Sequence, residues 1–475
     1  MTGSMRQEED AQILSKESGR LAFRYITNLI FDRLGLTEVV VKTTPAKKIT
    51  VEIPNCAGKL IIAPFLSGIA PEDLLRTSKL YLQMVETDDF TRQLLFEEKI
   101  PVLTLKDTSW VIPLVDWIHD SASINFDLFG SAFYILTRAE EMLNPERDIH
   151  DRFPAKASHA FKNNYLHRPV VDEYVEILWA CMKRLWPRLE RKKSEFRMVL
   201  SHDVDVPFAE AFSSPLRIGR SLAGDIIKRK SPIKAIARIK NWFAVKQGEW
   251  RKDSNYTFDR IMDLSEQNGL RSAFYFKTAC TNPKYDDGYS LDHPYLRQLM
   301  RDVHARGHEI GFHPSYETYL DPIQTKKEFL KLQRACEEEG IQQETWGGRQ
   351  HYLRWTAPIT WRNWAEAGLS YDSTLSYADH VGFRCGTCHD FPVFDLEQNR
   401  VLPLIERPLI VMEGSLLGDQ YMGLDFKSAQ SKIEQLKRVS QRFGGSLTVL
   451  WHNNSFFDNS YWYFYNNIFS TSLPK

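Results

Sequence analysis

The alternation of apolar runs and amphipathic segments between residues 196 and 455 constrains this chain more than any other feature. The runs MVLSHD, SAFYFKT, HEIGFH, ETWGG, GLSYDS and LTVLWH are separated by FDRIMDLSEQNG, PYLRQLMRDVHARG, KKEFLKLQRACEEEG, ITWRNWAEAG and SKIEQLKRVSQRFG. Each separating segment has helical periodicity and ends in Gly, the residue a helix C-terminus favours. Strands joined through helices run parallel, either as a (β/α) barrel or as an open sheet. The interval 208–252 interrupts the pattern with a locally basic helical insertion.

The charged stretch RLERKKSEFR, 188–197, is read as the boundary between a mixed α/β domain, 1–190, and the (β/α) domain, 191–475. The first domain opens with a helix around RLAFRYITNLIFDRLG, followed by the β-rich runs TEVVVKT, KKITVEI, KLIIAP and VLTLKD. Two longer helical patterns follow, SINFDLFGSAFYILTRAEEML and VVDEYVEILWACMKRLWPRL. This half carries no recognisable catalytic motif.

Lys+Arg and Asp+Glu both number 61, so net charge gives no sign of nucleic-acid binding. The polar start lacks a signal peptide's apolar core, and no stretch approaches a membrane span of about 18–20 apolar residues. Six scattered cysteines fit a reducing compartment. The expected location is cytoplasmic. CGTCH, 385–389, has the spacing of a haem-attachment motif, but that chemistry belongs to exported proteins, and turn or substrate-loop residues are the better reading.

Ionisable residues collect at the strand ends. Asp203 and Asp205 end the first strand, His313 ends HEIGF, Arg349 and His351 follow ETWGG, and His452 ends LTVLW. Active sites of parallel α/β folds form at that rim. A lone Asp there is commonly a helix cap and a lone His a packed residue, but the set points to one shared polar site. Imidazole and carboxylate without paired thiolates suits a catalytic divalent ion, Zn²⁺ first, with an open position. A carboxylate off the metal can then act as base and a facing His as acid.

These motifs, SHDVD, RGHEIGFHPSYET, GRQHYLR, YDSTL…GFRCGT and LTVLWHNN, occur in the order seen in polysaccharide deacetylases, and the stretch from about 196 to 455 resembles that NodB-homology, carbohydrate esterase family 4-like group. FYILTRAEEML…RDIHDRFPAKASHAFKNNYLHRPVVDEY resembles the leading domain of a bacterial branch often encoded with surface-polysaccharide genes. The resemblance implies an irregular barrel of about seven strands and metal-assisted hydrolysis of an acetamide on a sugar that is free, nucleotide-linked or lipid-linked. By position, Asp203 matches the base that deprotonates the attacking water, and Arg349 matches the arginine that orients it. His313 matches the first metal histidine, the Tyr352 N–H the oxyanion donor, and His452 the acid for the leaving amine. Arg354, Trp451 and Asn453, beside these motifs, are read as substrate-binding.

Two positions depart from the family pattern. The usual Asp-Asp doublet is Asp203–Val204, and Asp205, two residues on and on the same strand face, offers the metal ligand instead. The second histidine of the usual His-x-x-x-His pair is Glu317, which shares a face with His313 if Pro314 opens a helix. The third ligand is therefore either His351, whose other reading is a contact to substrate or to the ligands themselves, or Glu317, whose other reading is a first-turn acid facing the helix dipole. The departures leave open a carbohydrate-binding protein that lost activity; hydrolysis of another non-peptide C–N bond is a further reading, since related barrels act on non-sugar amides. No transmembrane segment or nucleic-acid partner is expected. The basic insertion admits either a solvated lid or peripheral contact with an anionic membrane, and the aromatics of SFFDNSYWYFYNN either stack on sugar or pack the domain's edge.

Overall fold

The alternating segment folds into one sheet in the computed structural model, which describes residues 19–469 apart from 71–72, 78–79, 106–112, 229 and 287. The polar start lies outside the described residues. The strands in this sheet are β8 (Arg197–Val204), β9 (Ser272–Lys277), β10 (Glu309–His313), β11 (Gly347–Gly348), β12 (Tyr371–Asp372), β13 (Phe391–Asp395), β14 (Arg400–Glu406), β15 (Val411–Met412) and β16 (Ser446–Leu450), β1–β7 lying earlier in the chain. Their order is β13-β14-β12-β11-β10-β9-β8-β16-β15. All neighbours pair in parallel except the β13–β14 hairpin. The ladder is open, with β13 and β15 at its ends.

Helices cover the strands, which explains why β9 and β16 are buried at every position and read as unbroken apolar runs. The helix Pro294–Ala305 stops before Gly307, at φ 73°, and Ile359–Ala367 stops at Gly368, at φ 96°. Only glycine takes this left-handed turn without strain, so the chain reverses there into the next strand.

In the first half, β1 (Val40–Thr43), β2 (Ile49–Glu52), β3 (Lys59–Ile62), β6 (Val115–Ile118) and β7 (Ser121–Ile124) form a sheet in the order β1-β2-β3-β7-β6. β4 (Leu80–Glu86) and β5 (Lys99–Leu105) pair separately. The helix expected over 123–143 begins instead as β7 and then divides into Leu128–Leu136 and Ala139–Leu143. Asp127 caps the first piece by accepting from the Gly130 N–H at 2.7 Å. Arg138, at φ 57°, breaks the two apart.

That break turns the Arg138 guanidinium inward. Glu141 accepts from Arg138 at 2.8 Å and from Arg384, of the second half, at 2.6 Å. All three side chains are almost completely buried. Burial alone pushes the Glu141 carboxyl up, but Arg384 and Arg138 outweigh it and hold it at about 2. The halves also meet where Tyr25 donates to the Pro392 carbonyl at 2.7 Å and where the Cys388 thiol donates to Asp172 at 3.0 Å. Cys385 and Cys388 are thus buried packing residues.

Glu141→Ala leaves two guanidinium groups buried without a counter-charge. It is expected to cost about 3–5 kcal/mol, read as a lowered urea-unfolding midpoint, and a loss under about 1 kcal/mol would contradict the bridging role.

Candidate metal centre and active site

Strand register assembles the site. In the parallel ladder Asp203 lies opposite Tyr275, His313 opposite Lys277, and Phe312 opposite Gly348, the residue before Arg349. On the other side Leu450 lies opposite Ser201, which brings His452 level with Asp203. Five strands therefore deliver Asp203, Lys277, His313, Arg349 and His452 to one rim. Gly348 permits the close approach, since a Cβ there would sit 1.8 Å from the Phe312 carbonyl oxygen.

Side-chain alternation then sorts the residues by face. His202 and Val204 point away from the rim; the His202 Nδ1–H donates to the Trp451 carbonyl at 2.7 Å and its ring stacks on Phe274. Asp203 and Asp205 share the opposite face. Arg349, fully buried, donates to Asp203 at 2.8 Å, to the Ser201 hydroxyl at 2.9 Å and to the Ser373 carbonyl at 2.9 Å. The base candidate is thus fixed by an arginine that is itself fixed.

Asp205 is the hub of the cluster. Its Oδ1 lies 3.2 Å from His313 Nε2 and 3.4 Å from His351 Nε2, and its Oδ2 lies 3.6 Å from His452 Nε2. Each imidazole is anchored through its other nitrogen. His313 Nδ1–H donates to the Arg349 carbonyl at 2.7 Å, His351 to Asp286 at 2.8 Å, and His452 to Glu413 at 2.6 Å. These bonds leave every Nε2 facing inward, as metal-binding histidines do when the other ring nitrogen is held by a carboxylate or carbonyl. Asp205 Oδ1 and His313 Nε2 are buried with no hydrogen-bond partner, and Asp205, His313 and His351 offer ligand atoms all within 4.8 Å of one another. Buried polar atoms without partners are costly, and a divalent cation between them satisfies both. The residues present fit a metal.

The charges agree with this arrangement. Burial disfavours the Asp205 anion, yet His351, His313 and His452 outweigh it and hold the carboxyl well below its usual range. Burial, reinforced by His313, holds the His351 imidazole below its ordinary value despite Asp205 and Asp286. Burial also opposes charge on His452, but Glu413, then Asp205 and Asp203, push it up to about 10.

These groups line a cavity of about 260 Å³ together with Lys277, Tyr285 and Arg152. Tyr352 forms part of the wall, its backbone at φ 59°. Arg152 comes from the first half and donates to the Tyr352 carbonyl at 2.9 Å, while Asp148 holds the same guanidinium at 2.8 Å. Nearby, the Arg354 Nε–H donates to the His150 carbonyl at 2.9 Å, and the Tyr319 hydroxyl donates to Asp151 at 2.5 Å. The segment 148–152 is thus stitched to the rim.

Four residues read as ligands or substrate contacts lie elsewhere. Glu317 accepts from Asn282 at 3.0 Å and from Arg354 at 2.8 Å, with its side chain 47% exposed. No helix begins at Pro314, because Ser315 and Tyr316 give their N–H groups to Glu328 and Asp286, so Glu317 never stacks on His313. Arg354 is clamped between the Tyr316 and Tyr319 rings, 3.9 Å from each, and binds Glu317. Trp451 and Asn453 flank His452 and by alternation face away from the cavity. Trp451 packs on Phe456 and Tyr465, and Asn453 donates to the Val206 carbonyl at 3.1 Å. Most aromatics after β16 pack there too, although Phe457 and Tyr463 remain exposed.

Sequence reasoning missed Asp286, Glu413, Lys277 and Arg152. Lys277 had a signal, since it ends β9 as His313 ends β10. The others act through tertiary contacts that no local pattern announces.

The model of the family of unknown function DUF7033 matches residues 12–187. No curated protein matches the chain. Among solved structures, a protein described as a polysaccharide deacetylase from Mycobacterium smegmatis is similar at 15% identity and a TM-score of 0.37, covering 60% of this chain and 87% of that one. The allantoinase PuuE is similar at 13% identity and a TM-score of 0.37, covering 60% of this chain and 84% of its own.

Proposed function

We propose that this protein is a metal-dependent hydrolase of a non-peptide C–N bond, deacetylating an N-acetylated sugar in surface-polysaccharide biosynthesis on an irregular deacetylase-type barrel. The reading rests on one observation: Asp205, His313 and His351 converge, with partnerless buried atoms, between an Asp203–Arg349 pair and a His452–Glu413 pair. Asp205, His313 and His351 would hold the ion, with Zn²⁺ the best match to two imidazoles and a carboxylate. Such an ion polarises an amide carbonyl and makes water more acidic.

The chain's own residues account for the proton transfers. Asp203, oriented by Arg349, takes a proton from water as its oxygen attacks the acetamide carbon. The Tyr352 peptide forms the wall where negative charge develops on the carbonyl oxygen. His452 enters as the imidazolium, held by Glu413, and gives its proton to the amine as the C–N bond breaks, so the products are acetate and a free amine. Lys277 and Arg152 add positive charge to the cavity wall.

Acetate release from acetylated sugars, free and carrier-linked, tests the reading. Dialysis against a chelator is expected to abolish release and added Zn²⁺ to restore it. Asp203→Asn is expected to lower kcat/KM by about 10²–10⁴-fold, and full activity in this variant would exclude it as the base. The Glu413→Gln variant removes the charge that favours the His452 imidazolium, so its acid form is lost at lower pH. The alkaline limb of the kcat profile should therefore move acidward, and an unmoved limb would remove His452 from the acid role.

A further inference from the structure

The insertion carries a surface that the site leaves unexplained. Its helix Pro232–Lys246 buries Ala235 and Val245, and Arg238 on that side reaches Asp225 at 2.8 Å and Glu210 at 3.3 Å. That face is taken. A second stripe, Ile233, Ile236, Ile239 and Phe243, points to solvent at 79, 54, 39 and 54% exposure. Its spacing of three, three and four residues keeps it on one helix face. Leu216, Ile226 and Ile227 of the preceding helical stretch are exposed at 67, 56 and 76%. Soluble proteins seldom present so many large aliphatic side chains together unless they meet a partner.

Charge identifies the partner. Residues 214–247 contain nine Lys or Arg against the single acid Asp225, in a chain whose net charge is zero. Arg217, Arg220, Lys230, Lys234, Lys240 and Lys246 are all exposed. Exposed apolar stripes flanked by cations suit the boundary between anionic headgroups and acyl chains. A second copy of the same surface would be repelled, since like charges would face each other.

Location adds a third argument. A cavity of about 470 Å³ lined by Lys234, Arg238 and Phe457 lies beside the insertion, and Asn454 lines both it and the catalytic cavity. Phe457 is itself 65% exposed. We propose that the helices Pro215–Ala223 and Pro232–Lys246 dock this protein on an anionic lipid bilayer, holding the catalytic mouth next to the membrane surface. The inference stands apart from the hydrolase reading, because docking needs neither metal nor substrate.

Co-sedimentation of the full chain with phosphatidylcholine vesicles, with and without phosphatidylglycerol, tests it. Binding is expected only with the anionic lipid and should weaken steeply with salt. The variant carrying Ile233→Asp, Ile236→Asp and Phe243→Asp alters exposed positions only and should partition about tenfold or more weakly, with an unchanged circular dichroism spectrum. Lys234→Glu with Lys240→Glu should weaken binding independently. No sedimentation with anionic vesicles, or equal binding by wild type and both variants, would overturn the proposal. So would a wild-type dimer that becomes monomeric in the Ile/Phe variant while neither form binds vesicles.

Discussion

A carboxylate buried against three imidazoles is the constraint on which this structure turns. Asp205 is kept charged by His313, His351 and His452, and each ring is kept in place by a different part of the chain. The Arg349 carbonyl, Asp286 and Glu413 provide those anchors. Arg349 serves twice, through its carbonyl for His313 and its guanidinium for Asp203. Asp203, His313 and the Asp205 cluster are therefore coupled through a few buried bonds, so small changes in register would be felt throughout the site.

The first half belongs to this arrangement. Its Arg152 holds the Tyr352 carbonyl across 200 residues of sequence, and its Asp148 holds Arg152. Glu141 neutralises Arg384 from the second half, fixing the two halves to each other. A rim wall that depends on such contacts explains why a domain without catalytic motifs can still shape the chemistry. It adds a cation, Arg152, to the cavity edge.

Much of the scaffold was legible because buried parallel strands and their covering helices leave strong periodicities. The β13–β14 hairpin escaped notice among the glycine-poor runs after residue 390, and β15 has only two residues. Within the site, strand alternation alone put Asp203 and Asp205 on one face, so the D-x-D register was readable. Whether Glu317 shares a face with His313 was not. It turned on whether Pro314 opens a helix, and that was decided by Asp286 and Glu328, which are distant in sequence. Trp451 and Asn453 could have been excluded by the same alternation that selects His452. Glu413, 39 residues before its partner His452, had no local signature.

The most direct test of the account is zinc titration of the full chain with anomalous diffraction at the zinc edge. One ion per chain is predicted, within about 2.0–2.2 Å of Asp205, His313 and His351, lost in His351→Ala and retained in Glu317→Gln. No bound zinc, an ion held elsewhere, or its loss in Glu317→Gln with retention in His351→Ala would contradict it.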